Sequence, residues 1–210
     1  NDASRTYDHA VRAQVIPPLS YIQAILGNRR DRRSLDFMKE GETSPIDLVT
    51  RRYPMIAVVK PYNTCAQICV YCQRNWEVKE VLHPTALAPP SKLEEAMNWF
   101  EDHPMVQEVL VTGGDPALMD EDLLDKLFSR LAGMPHVERI RLGTRLPVVL
   151  PMRFTDHFVE VLGKYHEPPV RDMLVVTHYE HPYEVTAESM AAVQKLKKAG
   201  LSVYNQQVFT

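Results

Sequence analysis

All three cysteines of this 210-residue chain lie in one short run, Cys65-Ala-Gln-Ile-Cys69-Val-Tyr-Cys72. An odd number of clustered thiols cannot close a disulfide framework. Three is also one short of the four ligands of a structural zinc site or an ordinary iron–sulfur cluster. Three thiolates on a cluster with four metal corners leave one iron open, and an open metal position is where chemistry happens. Cys65, Cys69 and Cys72 are therefore the candidate metal ligands, and their loop is the candidate active centre. The rival reading is a zinc site that borrows a fourth ligand such as His83. Against it, there is no second C-x2-C pair, and one ligand spacing is three rather than two.

A second group stands at the end of an apolar run, Val109-Leu-Val-Thr-Gly113-Gly114-Asp115-Pro116. Glycines let a backbone approach a ligand closely, and an acceptor-rich edge suits a cationic amino group. Seen alone, Gly-Gly-Asp-Pro is equally a plain strand-to-helix turn. The cysteines also follow a strand-like run, Met55–Val59, so both groups fall at strand C-terminal ends, where α/β barrels place active sites.

The elements that must position these residues repeat along the chain. Ser91 with Glu94 forms the pattern of a capping box, ahead of a helix with Leu93, Met97 and Phe100 on one face. A second helix starts near Asp120, carries Leu123, Leu124, Leu127, Phe128 and Leu131, and stops at Gly133. Val137–Leu142 reads as a strand, and Thr155 caps a helix with Phe158, Val161, Leu162 and Tyr165. Met173–Val176 is the next strand, and Thr186 caps a helix with Met190, Val193 and Leu196 that ends at Gly200. Residues 201–209 form a fifth strand. Alternation of this kind predicts an α/β fold, an incomplete parallel βα barrel, over residues 55–210. Residues 1–54 form a mainly helical N-terminal extension with Pro17-Pro18, a helix near Leu19–Leu26, and Arg29, Arg30, Arg32 and Arg33. That arginine cluster reads as a solvated or subunit-contact face, which leaves room for a homo-oligomer.

Composition narrows the classes. Apolar content of 45%, charged content of 24% and a net charge of −3 fit a globular protein and give no reason to expect nucleic acid or an anionic membrane. No apolar run approaches the roughly 20 residues of a membrane span. The polar start is unlike a signal peptide, and clustered thiols with no others point to a reducing, cytoplasmic compartment. The lack of an initiator Met and the apolar end predict an excerpt from a longer protein.

Several segments carry a family likeness: Arg52-Tyr53-Pro54, the cysteine run continued by Gln73-Arg74, and Val111-Thr-Gly-Gly-Asp-Pro116. Arg139-Ile-Arg-Leu-Gly-Thr-Arg-Leu-Pro-Val-Val-Leu-Pro151, Thr177-His178-Tyr-Glu-His-Pro182 and Asn205-Gln206 complete the set. In order and spacing they resemble the lysine 2,3-aminomutase family of the radical S-adenosylmethionine (SAM) superfamily. The resemblance implies a [4Fe–4S] cluster on Cys65, Cys69 and Cys72, with SAM chelating the free iron, and a 5′-deoxyadenosyl radical that removes a substrate hydrogen. It places Tyr71 beside adenine and Gly113, Gly114 and Asp115 at the methionine amino group. His178 and Gln206 match positions that touch SAM, and Arg74 matches the arginine that grips a substrate carboxylate. His178 also has a plainer reading as a hydrogen-bonded junction residue, and His181 reads as a turn residue. Arg145 is either an internal anion anchor or a buried ion-pair partner.

The implied reaction is 1,2-migration of an amino group on a small amino acid, fed by an electron donor of flavodoxin or ferredoxin type. The family also uses pyridoxal phosphate, with Arg52 and Tyr53 matching its binding pattern. Here Arg-Tyr-Pro-Asp-Arg appears as Arg52-Tyr53-Pro54-Met55-Ile56, which removes a permanent positive charge. The family's Thr-Arg-Arg-Arg after the third cysteine is Gln73-Arg74-Asn75-Trp76, and Lys195, Lys197 and Lys198 read as solvent-facing. Two alternatives follow: a radical SAM reaction on an amino acid or peptide without pyridoxal phosphate, and a non-catalytic zinc-binding or structural module.

Overall fold

A computed structural model describes residues 5–27, 36, 38–74, 77–80 and 83–208. Its centre is a six-stranded sheet in chain order: β1 (Val49–Thr50), β2 (Ile56–Tyr62), β3 (Glu108–Gly113), β4 (Arg139–Gly143), β5 (Asp172–Thr177) and β6 (Ser202–Asn205). β2 through β6 are parallel, and β1 alone runs antiparallel, against β2. The sheet does not close, as expected of a partial βα barrel. Strands that return in the same direction need crossovers, supplied by α3 (Pro90–Glu101), α4 (Glu121–Ala132), α6 (Asp156–Gly163) and α7 (Ala187–Lys198). Before the sheet come α1 (Thr6–Ala13) and α2 (Leu19–Gly27), and α5 (Leu146–Val149) is a single turn after β4. The arginines at 29, 30, 32 and 33 lie outside the described residues.

One face of the sheet makes the core. Ala57, Val59, Val109, Val111, Ile140, Leu142, Met173 and Val175 alternate along four strands and pack with Phe100, Leu124, Phe128, Phe158, Leu162 and Leu196 from the crossover helices. The opposite face carries Lys60, Thr112, Arg141 and Tyr204, so β2 to β6 are apolar on the helix side and mixed on the other.

Local signals set the helix ends, with one exception. Thr155 accepts a hydrogen bond from the Phe158 amide at 3.1 Å, and Thr186 accepts one from the Ser189 amide at 3.1 Å. The Asp120 side chain likewise accepts from the Asp122 amide at 3.0 Å. The capping box at Ser91 does not form: α3 begins at Pro90 with Pro89 as its cap, and Ser91 lies inside the first turn. Pro90, pre-set for the first helical position, moves the cap two residues ahead of the serine. Three buried faces also shift. Val159 rather than Val161 is buried on α6, Ser189 and Ala192 replace Met190 on α7, and Leu123 is 36% exposed on α4.

Candidate active site

The cysteine loop leaves the C-terminal end of β2 and is tied down at its base. The Thr64 hydroxyl donates to the carbonyls of Lys79 and Glu80, both at 2.9 Å, and the Asn63 amide nitrogen donates to the Glu77 carbonyl at 2.9 Å. On the other side the Gly114 N–H donates to Tyr62 O at 2.7 Å and the Asp115 N–H to Thr64 O at 2.8 Å. This second contact explains the glycine pair. A Cβ on Gly114 would lie 2.3 Å from Thr64 O, and Gly113 has φ +118° with Tyr62 O 2.8 Å from its would-be Cβ. The close approach that requires glycine is therefore to the chain's own cysteine loop.

All three thiols are half-buried and act on one another. Burial pushes the Cys65 thiol up to about 12, reinforced by Asp115, Cys72 and Cys69. Burial also raises the Cys72 thiol, partly offset by the Arg74 N–H, which lies 3.4 Å from its sulfur. Ionising Cys65 and Cys72 is unfavourable without a cation beside them, so the donor set suits a metal group that supplies positive charge. Among the described residues no three His, Cys, Asp or Glu side chains are preassembled for a metal ion. His83 spends its Nδ1 on Thr85, at 3.2 Å from the Thr85 amide.

Around the loop the predicted residues divide. Tyr71 reaches the end of β5, where its hydroxyl donates to Glu180 Oε1 at 3.2 Å. Burial, then the neighbouring Cys69, raises its pKa. His178 lies on the same segment with Nδ1 3.6 Å from Glu180 Oε1, and burial lowers its pKa. Asp115 is brought to the loop, but its carboxylate turns inward, accepting from the Arg145 N–H at 2.8 Å and the Ala117 N–H at 3.2 Å. Burial lifts its pKa to about 6 against these hydrogen bonds and one from Thr144. Gln206 is exposed, and its N–H donates to Thr177 O at 2.8 Å. Arg52 and Tyr53 stand apart from the cysteine loop, although the Arg52 charge acts on Asp36, a residue that lines the cavity beside Arg74. They precede β2 and are exposed, about 20 Å of strand from the cysteine loop at roughly 3.3 Å per residue. Lys195, Lys197 and Lys198 are exposed on α7.

Arg74 lies beside a cavity of about 490 Å³ lined in part by Glu40, Lys60, Gln73 and Glu77. Glu40 Oε1 accepts from Arg74 Nη1 and from Lys60 Nζ, the latter at 2.5 Å, and Arg74 Nη2 holds Glu77 at 2.7 Å. Arg74 Nε is buried with no hydrogen-bond partner among the described residues.

The sequence reading missed Glu40, Lys60, Gln14, Glu180 and Glu184. Lys60 had a signal, a charge inside an otherwise apolar strand. The others are single polar residues whose partners are remote in the chain. The N-terminal extension contributes directly: the Val70 N–H donates to Gln14 O at 2.7 Å, and the Tyr7 ring lies 5.4 Å from His181 and 5.8 Å from Tyr183. Arg145 resolves as a buried ion-pair partner, with Nη2 2.7 Å from Glu184 Oε1. His181 caps the turn at Pro182–Glu184, as a turn residue should.

The sequence profile of the Radical SAM superfamily matches residues 59–209, which run from the middle of β2 past β6. The chain belongs to the radical SAM superfamily. Within it this radical SAM chain is KamA-like. It is 46% identical over 203 residues to an uncharacterized KamA family protein of Methanocaldococcus jannaschii, covering 96% of this chain and 32% of that protein. It is 38% identical to an L-lysine 2,3-aminomutase of Methanococcus maripaludis, covering 82% of this chain and 38% of that protein. It is 37% identical to a glutamate 2,3-aminomutase of Clostridioides difficile, covering 85% and 40%. The radical SAM chain thus spans less than half the length of the curated relatives it matches, from 32% to 45%.

Proposed function

We propose that this segment is the radical-generating core of an aminomutase-type enzyme that acts on a small amino acid, with Cys65, Cys69 and Cys72 holding a [4Fe–4S] cluster. The observation that carries the reading is the loop itself: three half-buried thiols within eight residues, with Arg145 on the Cys69 sulfur and the Gly113-Gly114 edge packed against the base of the loop at Tyr62 and Thr64. When bound, the cluster and SAM supply a one-electron cleavage of the sulfonium that yields a 5′-deoxyadenosyl radical. The chain's own residues bind and orient. Tyr71 and His178 meet at Glu180 on one side of the loop, on the side proposed for SAM. Gly113 and Gly114 fix the spacing between the loop and β3. Arg74, held by Glu40 and Glu77 at the edge of the cavity, would meet the substrate carboxylate there. The core is residues 55–210, to whose sheet the extension over residues 1–54 adds β1 as an edge strand, and that extension reaches the site through Gln14 and Glu40. An external one-electron donor completes the requirements.

A variant reading without pyridoxal phosphate is favoured by one observation. Arg52 and Tyr53 are exposed at the far end of β2, Arg52 Nη2 donates to the Met38 carbonyl, and Ile56 offers no charge. With no charge at position 56, this end of β2 offers a phosphate fewer cations than the family pattern, and the radical-generating role of the loop does not depend on pyridoxal phosphate. Borohydride reduction of the full-length protein with added pyridoxal phosphate separates the two: stable absorbance on the protein supports the cofactor, and none supports the variant.

Anaerobic reconstitution with iron and sulfide, followed by electron paramagnetic resonance, tests the cluster. A reduced [4Fe–4S] signal that changes on addition of SAM is expected. A wild-type protein that takes up zinc and shows no such signal is the outcome for a structural zinc module.

A further inference from the structure

Arg145 is the residue on which the separate pieces of the site converge. It follows β4 and is 7% exposed. Nη1 donates to Cys69 Sγ at 2.8 Å, and Nη2 donates to Glu184 Oε1 at 2.7 Å and to Gln14 Oε1. Its main-chain N–H donates to Asp115 Oδ2 at 2.8 Å, and its guanidinium carbon lies 5.7 Å from the Tyr71 ring centroid. Gln14 in turn accepts the N–H of Val70, one residue beyond Cys69, at 2.7 Å. One side chain therefore links the cysteine loop, the Gly-Gly-Asp edge, the N-terminal extension and the segment after β5.

We propose that Arg145 is a positioning residue of the cysteine loop, whose guanidinium fork bridges the Cys69 sulfur to Glu184 and Gln14 and raises the reduction potential of the group the cysteines hold. The proposal rests on the reading that Cys65, Cys69 and Cys72 carry an iron–sulfur cluster. A buried ion pair needs only Glu184. The second nitrogen of the fork points instead at sulfur, and a planar two-pronged donor can serve both at once where a single ammonium cannot. One-electron reduction adds negative charge to the cluster. An N–H···S hydrogen bond and a buried cation next to a ligand sulfur favour that more negative state, so they move the potential upward. A merely structural role for Arg145 predicts lower stability and an unchanged potential.

The test uses the full-length protein, reconstituted anaerobically, with R145M and R145K beside wild type. The readouts are bound iron and sulfide, and the midpoint potential from a redox titration followed by electron paramagnetic resonance. Wild-type protein that loads no cluster fails the underlying reading before any variant is compared. With wild type loaded, R145M is expected to shift the potential downward and alter the signal, and R145K to shift it less in the same direction. A wild-type potential in a loaded R145M overturns the proposal. Where R145M does not retain a cluster, R145K decides: its single nitrogen cannot span Cys69 and Glu184, so an unchanged potential and spectrum there overturn the fork, and a lowered potential supports it.

Discussion

Substituting Gly114 by alanine tests how tightly the β3 edge is built against the cysteine loop. The added Cβ would stand 2.3 Å from Thr64 O, 2.6 Å from Thr64 N and 2.8 Å from Thr64 C. Ordinary carbon–oxygen separations begin near about 3.3 Å, so the loop base must retreat by about 1 Å. That retreat strains the Gly114 to Tyr62 and Asp115 to Thr64 backbone hydrogen bonds, which measure 2.7 and 2.8 Å. Overpacking of this kind costs about 1–3 kcal/mol, and each backbone bond lost costs about 1 kcal/mol more. The expected destabilisation is on the order of 3–4 kcal/mol, a large part of a typical folding free energy. The assay is urea unfolding of the metal-free full-length protein followed by circular dichroism, with iron uptake measured on the same preparation. Gly163→Ala supplies the control, because nothing lies within 4 Å of its would-be Cβ. In a helix that change is neutral or stabilising by up to about 1 kcal/mol. Equal stability and equal iron uptake in G114A and wild type would refute the argument that close backbone approach is why glycine stands there.

Other outcomes follow from the same contacts. Glu40→Gln should cost about 2–4 kcal/mol and more than Glu77→Gln, because it removes the one carboxylate shared by Lys60 and Arg74, each at 14% side-chain exposure, whereas Glu77 serves Arg74 alone; comparing the two unfolding midpoints checks this. Thr186→Ala should cost about 1 kcal/mol through loss of the α7 cap, read from the same unfolding curve. Asp115 has a folded pKa of about 6 against an ordinary value of 3.8. The folded protein thus binds that proton more tightly. Its ionised form destabilises the fold fully above pH 6, and the penalty fades as pH falls toward 3.8. Measured from pH 7 down to 4, the wild type should gain stability relative to Asp115→Asn by on the order of 3 kcal/mol; a difference independent of pH contradicts the assignment.

Much of the scaffold was legible because its causes are local. Thr155, Thr186 and Asp120 announce helix starts through bonds spanning two or three residues, and the apolar faces of α4 and α6 follow from helical spacing with small shifts. Ser91 misled because Pro89 and Pro90 begin the helix first. α1 was not read from the sequence, and none of its eight residues is buried. Its anchoring comes from Tyr7 against His181 and Tyr183 and from Gln14 just beyond it.

The site divided along the same line. The cysteine spacing was readable because ligand count is a local property. The glycine pair was readable as a tight edge, but its partner Thr64 was not, being far away in the chain. Arg145 was seen as a buried charge. Its sulfur, carboxylate and amide partners come from three remote segments, which no spacing rule connects. Glu40 came from the stretch before the sheet, where nothing in the pattern links it to Arg74. The family resemblance placed Arg74 at a substrate carboxylate, and the structure adds that two of its nitrogens contact Glu40 and Glu77.

The central claim, that Cys65, Cys69 and Cys72 together hold the group that activates SAM, is tested most directly by product formation. Full-length protein is reconstituted anaerobically and reduced with dithionite in the presence of SAM, and 5′-deoxyadenosine is quantified by chromatography. The account predicts product from wild type and none from C65A, C69A or C72A. Product from any one of these variants, or none from a wild-type protein fully loaded with iron and sulfide, contradicts it.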